Sequence, residues 1–200
     1  MKHNQLIAAC ALALMSSVAA AQTGTFTVKA KENSSTSVVG LATFNLMAGD
    51  TFTVSVDPND LWNAGALPRW SNANGLTGQL YSPTLDPDFM NDPAYSSLPN
   101  ETLIGGDFAT WSQAGLTAHY GSLVGQIDSG AYFKIGTSYS GTAASGGTLK
   151  LFYWDSNNYD NTGSIAATVT AVPEPETYAL MLAGLGLVGF MARRRAVSVS

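Results

Sequence analysis

Alternation of apolar and hydroxyl side chains is the feature of this sequence that most limits its fold. Residues 25–28 (Thr-Phe-Thr-Val) and 51–56 (Thr-Phe-Thr-Val-Ser-Val) repeat with a period of two, which is typical of a strand with one buried and one solvated face. Four further predicted strands, separated by turns rich in Gly, Ser, Asn and Asp, cover residues 122–127, 131–135, 148–154 and 164–172. No window has the period of an amphipathic helix. The pattern therefore predicts an all-β domain, with a β-sandwich as the favoured architecture.

Residues 71–119 interrupt this pattern. Four prolines punctuate the segment, at Pro83, Pro87, Pro93 and Pro99. The segment is therefore predicted to be a long irregular insertion, and insertions of this length are usually functional or partly disordered. Its sequences Asp86-Pro87-Asp88 and Asn91-Asp92-Pro93 favour ordinary turns, with a second ion site as the alternative.

The N-terminus predicts a secretory signal peptide over residues 1–21. A basic start precedes the apolar stretch 6–15, and Ala19 and Ala21 form an A-x-A cleavage site. We expect the mature chain to begin at Gln22. The protein therefore leaves the cytoplasm.

Composition narrows what the domain at 22–172 can do. It contains five basic and twelve acidic residues and so carries a net charge of −7, which repels phosphate backbones and excludes nucleic acid as a partner. Cys10 is the sole cysteine and lies in the leader, so the domain has no disulfide and no thiolate ligand. His119 is its one histidine, and no recognised motif places a nucleophile between Asp107 and His119. We therefore do not expect an enzyme, although a hydrolase with paired carboxylates remains an alternative.

The C-terminus has three parts in a fixed order. They are the helix-breaking Pro173, Glu174 and Pro175, an uncharged apolar run over 178–192, and the cluster Arg193, Arg194 and Arg195. As a helix, the apolar run would span about 22 Å. The run has 15 residues, which is fewer than the roughly 20 that a permanent membrane helix needs. We therefore predict a helix that enters the inner membrane transiently, with the arginines on the cytoplasmic side.

This order of parts resembles the PEP-CTERM sorting signal of Gram-negative bacteria that produce exopolysaccharide. The resemblance implies that an inner-membrane exosortase recognises the tail and cleaves it near the Pro-Glu-Pro motif. It also implies that the protein is exported, and that its destination is the cell envelope or the extracellular matrix.

The predicted turn at 155–163 concentrates oxygen ligands between two strands. Its carboxylates and amides belong to Asp155, Asp160, Asn157, Asn158 and Asn161. Calcium takes six to eight such oxygens, together with backbone carbonyls and water. Asn, Asp and Gly also dominate turns that bind nothing. The residues by themselves therefore leave both a calcium site and a plain turn open.

Two stretches of the domain carry a second resemblance. The first runs from Ala48-Gly49-Asp50 to Arg69-Trp70, and the second runs from Gly121 through Phe133-Lys134-Ile135-Gly136 to Thr168. They resemble the bacterial galactose-specific calcium lectins, which are small jelly-roll-like β-sandwiches. The resemblance implies a single jelly-roll-like sandwich over residues 22–172.

The lectin resemblance also implies a ligand set for Ca²⁺. Asp155 falls on the aspartate that contacts both calcium and sugar, and Asp160 and Asn161 fall on a pair of amide ligands, so that Asp160 is an acidic replacement. Asn158 and Ala64 are expected to supply backbone carbonyls. The family's sugar-binding histidine and glutamine lie in a loop that residues 71–119 replace, so galactose specificity is not implied.

These observations favour an exported, exosortase-sorted protein of the surface or matrix that binds calcium and, through it, polysaccharide. A structural matrix protein without a small-ligand site is the main alternative, and a carboxylate-dependent hydrolase is a further one. The tryptophans could stack on a sugar ring but are expected in the core, because aromatic residues dominate buried area. They are Trp62, Trp70, Trp111 and Trp154.

Overall fold

The computed structural model describes residues 20–37, 39–82, 98–173 and 184–186. Two compact units are distinguished. One is Ala20–Glu174, and the other combines Met1–Ala19 with Pro175–Ser200 and is described only over the helical residues 184–186. Within the described ranges, no helix is long and apolar enough to cross a membrane. The predicted signal peptide and the predicted membrane helix at 178–192 lie almost entirely outside the described residues, so both stay predictions.

The unit Ala20–Glu174 is built from strands. In chain order the described strands are β1 (Gln22–Lys29), β2 (Leu41–Leu46), β3 (Thr51–Val56), β4 (Trp62–Asn63), β5 (Trp70–Ser71), β6 (Leu80–Tyr81), β7 (Leu103–Gly105), β8 (Thr110–Gln113), β9 (Leu116–His119), β10 (Leu123–Ile127), β11 (Phe133–Lys134), β12 (Ser138–Thr142), β13 (Gly147–Tyr153) and β14 (Thr162–Val172).

These strands form two main antiparallel sheets. The first has the order β12-β3-β14-β4-β5, with β1 on the other edge of β14. The second has the order β11-β10-β13-β2. Two small antiparallel pairs, β6 with β7 and β8 with β9, come from the segment predicted as an insertion. The predicted all-β sandwich is confirmed.

The core lies where the inward faces of the two sheets meet. In β3 the side chains alternate as predicted, with Phe52, Val54 and Val56 buried. They share one cluster with Leu149 and Leu151 of the second sheet, and these two leucines are fully buried. Because β3 alternates with a period of two, burying one set of its side chains turns the polar set outward.

Hydroxyl groups cover the outer face of the first sheet in register. The antiparallel pairings align two rows across β1, β14, β3 and β12, namely Thr23, Thr170, Thr53 and Ser140, and Thr25, Thr168, Ser55 and Ser138. Within these rows the Thr23 and Thr170 hydroxyls are 3.0 Å apart, and those of Thr25 and Thr168 are 3.2 Å apart. Part of the Ser- and Thr-rich, weakly charged composition therefore lies on this outer face.

The structure differs from the predicted strands in three places. β2 and β12 were not predicted, although β12 pairs with β3 over its whole length. The predicted strand at 131–135 is reduced to β11. The insertion at 71–119 is not wholly irregular, because its described part contains β6, β7, β8 and β9. Each of these strands has only two to four residues, which is too short for a period of two to identify it in the sequence.

Three of the four tryptophans are core residues, as expected. Trp62, Trp70 and Trp154 are at most 2 % exposed. The rings of Trp62 and Tyr153 meet edge to face with centroids 4.6 Å apart, and Trp62 Nε1 donates to the carbonyl of Gly121 at 2.8 Å. Such contacts hold β4 against β13 and fix the ends of both strands.

We predict that Ile165→Ala destabilises the domain by about 2 to 5 kcal/mol, because it leaves a cavity at a side chain that is 1 % exposed. Thr27→Ala, on the exposed face of the neighbouring strand, should change the free energy of unfolding by less than about 1 kcal/mol. Urea unfolding followed by tryptophan fluorescence measures both. Equal effects of the two substitutions would contradict the assigned inward face of β14.

Candidate functional site

The turn between β13 and β14 is fixed to the body of the domain through Ser35. The Ser35 hydroxyl donates to the backbone carbonyl of Asp155 at 3.0 Å and accepts the Asp155 N–H at 3.2 Å. Ser35 is 2 % exposed, so these hydrogen bonds are shielded from water. The backbone of Asp155 therefore has a fixed position at the start of the turn.

The Asp155 carboxylate is buried and held by the turn itself. Its Oδ1 accepts the N–H of Ser156 at 2.6 Å and, more distantly, that of Asn157 at 3.5 Å, and the Asn161 side chain lies close to the same carboxylate. Burial nevertheless raises the pKa of Asp155 above its ordinary value of 3.8, and the nearby charge of Asp160 raises it further. The hydrogen bonds oppose this shift but do not cancel it.

Two acceptor oxygens beside Asp155 have no hydrogen-bond donor among the described residues. They are Asp160 Oδ1 and Asn161 Oδ1, and both atoms are buried. The amide nitrogen of Asn161 is engaged, because it donates to the carbonyls of Ala30 at 3.3 Å and Asn157 at 3.2 Å. Buried acceptors are nearly always satisfied in folded proteins. These two oxygens therefore indicate a binding position for a cation or a donor.

A second turn, residues 64–69, closes against Asp160. The Ala64 N–H donates to the carbonyl of Arg69 at 3.0 Å, and the Gly65 N–H donates to Asn63 Oδ1. Gly65 has a φ of +110°, and a Cβ at this position would overlap the Asp160 carboxylate. Glycine thus lets the Ala64–Gly65 backbone approach the turn of β13 and β14 closely.

The pKa of the Tyr153 hydroxyl is affected by the charges of the same two carboxylates. Its pKa is raised well above the ordinary value, first by burial and then by the charges of Asp155 and Asp160, while Arg69 opposes the shift. The hydroxyl oxygen is buried and has no partner among the described residues. Tyr153 stays protonated at neutral pH and is a further polar group beside the two carboxylates.

The structure brings together most of the predicted ligand set. Asp155, Asp160 and Asn161 converge, and the turn that begins at Ala64 packs on Asp160. Among the described residues no hydrogen bond joins the Asn158 side chain to them, and it donates instead to the carbonyl of Lys31 at 3.3 Å. The carbonyls of Asn158 and Ala64 accept no hydrogen bond from described residues, so their role as ligands stays a prediction.

The ligand set differs from a site made of charged side chains. Across the described ranges, no group of three or more His, Cys, Asp or Glu side chains could hold one metal ion. The arrangement offers two carboxylates, an amide oxygen and backbone carbonyls. This mixture suits a hard cation that prefers oxygen, such as calcium, better than zinc or copper.

Sequence reasoning missed Arg69 and Phe108 at this site. The guanidinium carbon of Arg69 lies 4.8 Å from the centre of the Phe108 ring. Phe108 is 43 % exposed and belongs to the insertion. One signal was available, because Arg69 is the only arginine between residues 22 and 172.

The other candidate residues do not form a second site among the described residues. Asp107 is exposed, and no hydrogen bond or ion pair joins it to His119. Four further carboxylates accept backbone N–H groups and so stabilise turns or loops, at Asp50, Asp57, Asp60 and Asp128. The predicted second ion site, at 86–92, lies outside the described residues.

Comparison with known structures finds a likeness in fold. The N-terminal domain of EclA, described as a PllA-like lectin, matches with a TM-score of 0.40 and 19 % identity, over 74 % of this chain and 94 % of that chain. No curated protein matches the sequence significantly. At this TM-score the likeness carries no argument about ligands.

Comparison with protein families finds a match at the C-terminus. Residues 171–195 match the family model described as the PEP-CTERM protein-sorting motif. The match begins inside β14 and includes Pro173, Glu174, Pro175 and the arginines Arg193, Arg194 and Arg195. It confirms the sequence resemblance and implies processing by exosortase and export through the cell membrane. The chain is thus an all-β sandwich that carries a PEP-CTERM sorting motif.

Proposed function

We propose that this protein is a calcium-dependent polysaccharide-binding module, delivered by exosortase to the cell envelope or the extracellular matrix. The observation that carries the ion claim is the pair of buried oxygens, Asp160 Oδ1 and Asn161 Oδ1, that lack donors beside the buried Asp155 carboxylate. A divalent cation would satisfy both oxygens and would neutralise the two carboxylates together. The carbonyls of Ala64 and Asn158 complete the proposed ligand set.

The polysaccharide claim follows from the position of the ion. Asp160 is only partly buried, so a cation held there would have coordination positions open to a ligand. Calcium binds vicinal hydroxyl groups through the same oxygen chemistry that it uses with protein groups. The sequence resemblance to calcium lectins supports this reading, and the acidic surface argues against nucleic acid.

A binding role is favoured over catalysis because four of the described carboxylates outside the site, those of Asp50, Asp57, Asp60 and Asp128, are engaged as backbone acceptors. A structural matrix protein is the second candidate. The rows of uncharged hydroxyls on the outer face of the first sheet favour this second candidate, because a polar face of this kind is stable in water without a bound ligand. The two candidates differ in whether calcium and glycans bind.

We predict that calcium at about 100 times its dissociation constant raises the free energy of unfolding by about 2.7 kcal/mol. For a domain of this size the melting temperature should then rise by roughly 5 to 10 °C. Asp155→Asn should abolish the rise, whereas Asp128→Asn, which removes the same charge from another turn, should keep it. Calorimetric titration and thermal unfolding of the full chain in detergent measure both. A calcium response that survives Asp155→Asn would remove Asp155 from the site.

We predict a pH dependence with opposite signs in chelator and in calcium. Because burial raises the folded-state pKa of Asp155, its stabilising contribution without calcium is complete below the unfolded pKa. That contribution is lost as pH rises through the folded pKa. Calcium needs the ionised carboxylate, so its stabilising effect should grow over the same range.

Urea unfolding between roughly pH 4 and pH 7 tests this prediction. In chelator, Asp155→Asn should become increasingly more stable than the wild type as pH rises, because the amide is never ionised. In calcium the order should reverse. A difference between the two proteins that does not change with pH would contradict the assignment.

We predict that replacing Pro173, Glu174 and Pro175 with alanine blocks sorting, so that the uncleaved precursor accumulates in the inner-membrane fraction. Fractionation followed by immunoblotting of the sandwich domain measures the distribution. Thr170→Ala, just upstream on the outer face of β14, is the control and should be sorted normally. Normal cleavage of the triple variant would show that the processing enzyme does not recognise these three residues.

A further inference from the structure

The guanidinium of Arg69 lies at the rim of the candidate ion site. Its Nη1 is 3.5 Å from the position that a Cβ on Gly65 would take, and the Asp160 carboxylate contacts the same position. The influence of Arg69 on the Tyr153 hydroxyl is a second, independent sign that it lies beside the two carboxylates. Arg69 is therefore part of the surroundings of any ligand that reaches the ion.

Three contacts fix the position of Arg69. Its backbone carbonyl accepts the N–H of Ala64, which closes the turn, and its backbone forms a bridge with Gly105. Its guanidinium lies on the ring of Phe108, whose own N–H donates to the carbonyl of Leu76 at 3.1 Å. The insertion thus provides the aromatic ring that holds the Arg69 guanidinium in place.

The guanidinium has hydrogen-bonding capacity left over. Arginine carries five N–H donors in a planar fork, and no acceptor within the described part of the chain takes a hydrogen bond or an ion pair from them. A carboxylate is the group that best matches such a fork, because it accepts two parallel hydrogen bonds. Arg69 is partly exposed, so a ligand from solvent can reach it.

The balance of charges at the site also favours a ligand with a carboxylate. One calcium ion would balance Asp155 and Asp160, and Arg69 would then leave the site with one positive charge. The rest of the domain is strongly acidic. A neutral sugar would leave this charge without a partner, whereas a sugar with one carboxylate would neutralise it.

We propose that Arg69 makes this site selective for acidic polysaccharides, with the carboxylate of a uronic-acid residue bound by the guanidinium and its hydroxyls on the calcium. This inference rests on the proposed function, because it places the ligand on the same ion. It adds the chemical class of the ligand and assigns Arg69 as the residue that determines specificity. Phe108 is the positioning residue.

Pairs of oligosaccharides that differ only at C6 test the proposal. Each pair compares the carboxylate with the hydroxymethyl form, as in trigalacturonate and galactotriose, with gluco and manno pairs beside it. Titration calorimetry of the full chain in detergent at saturating calcium should show a preference for the acidic member. The expected ratio is roughly tenfold to a hundredfold, as for a hydrogen-bonded charge pair. Each acidic member is also titrated into calcium buffer alone, so that direct chelation is subtracted.

Three variants separate Arg69 from general effects of charge. Arg69→Gln should reduce the ratio to about one while calcium affinity is retained, and Arg69→Lys should give an intermediate ratio, because lysine lacks the planar fork. Lys134→Gln removes the same charge from β11 and should leave the ratio unchanged. Thermal unfolding checks that each variant is folded.

The outcomes distinguish this inference from the proposed function. Equal binding of acidic and neutral members in calcium, or a preference that survives Arg69→Gln, would overturn the role of Arg69 and leave the calcium-dependent module intact. Absence of binding by every oligosaccharide, with calcium bound, would overturn both the inference and the polysaccharide claim. Absence of calcium binding would overturn the ion site itself.

Discussion

Strand β14 pairs with β1 along one edge, and with β4 and then β3 along the other. Its inward residues, from Ile165 to Ala171, lie in the core, and its outward residues carry part of the hydroxyl rows. A shift of one residue would exchange these two faces. The register of this strand therefore fixes the first sheet, and with it the surface on which the second sheet packs.

The same strand separates the two functional ends of the domain. The turn that contains Asp155 and Asp160 enters β14, and Pro173 follows its last residue. Eleven residues of extended chain span roughly 36 Å. The candidate ligand site and Pro173 are thus at opposite ends of one strand.

The candidate site combines polar groups that are costly to bury. Asp155, Asn161 and Tyr153 are each at most 4 % exposed, and two of their oxygens, Asn161 Oδ1 and the Tyr153 hydroxyl, have no hydrogen-bond partner among the described residues. Such an arrangement lowers stability unless a bound cation compensates for it. This cost gives the calcium proposal a physical basis, because the buried Asp155 and Asn161 are among the groups that would hold the ion.

The period-2 pattern was sufficient to predict β3 with its correct bounds and β14 to within two residues at its start. It failed for β12, where Tyr139 is the only large apolar residue and Gly141 occupies the next inward position. It also failed for β2, whose pairing with β13 contains a register shift and whose side chains do not alternate cleanly. Strands of this kind are stabilised by neighbouring strands, so their own residues carry little of the signal.

Local sequence determined the chemistry of each end. The Asp- and Asn-rich turn, the Pro-Glu-Pro motif and the arginine cluster are each a continuous stretch of the chain. A continuous stretch can be recognised in the sequence without knowing the fold. Only the tertiary structure decided that the turn beginning at Ala64 packs on Asp160, and that Arg69 and Phe108 lie at the rim of the site. The physical reason is that these contacts join segments far apart in sequence, and strand pairing and burial bring them together.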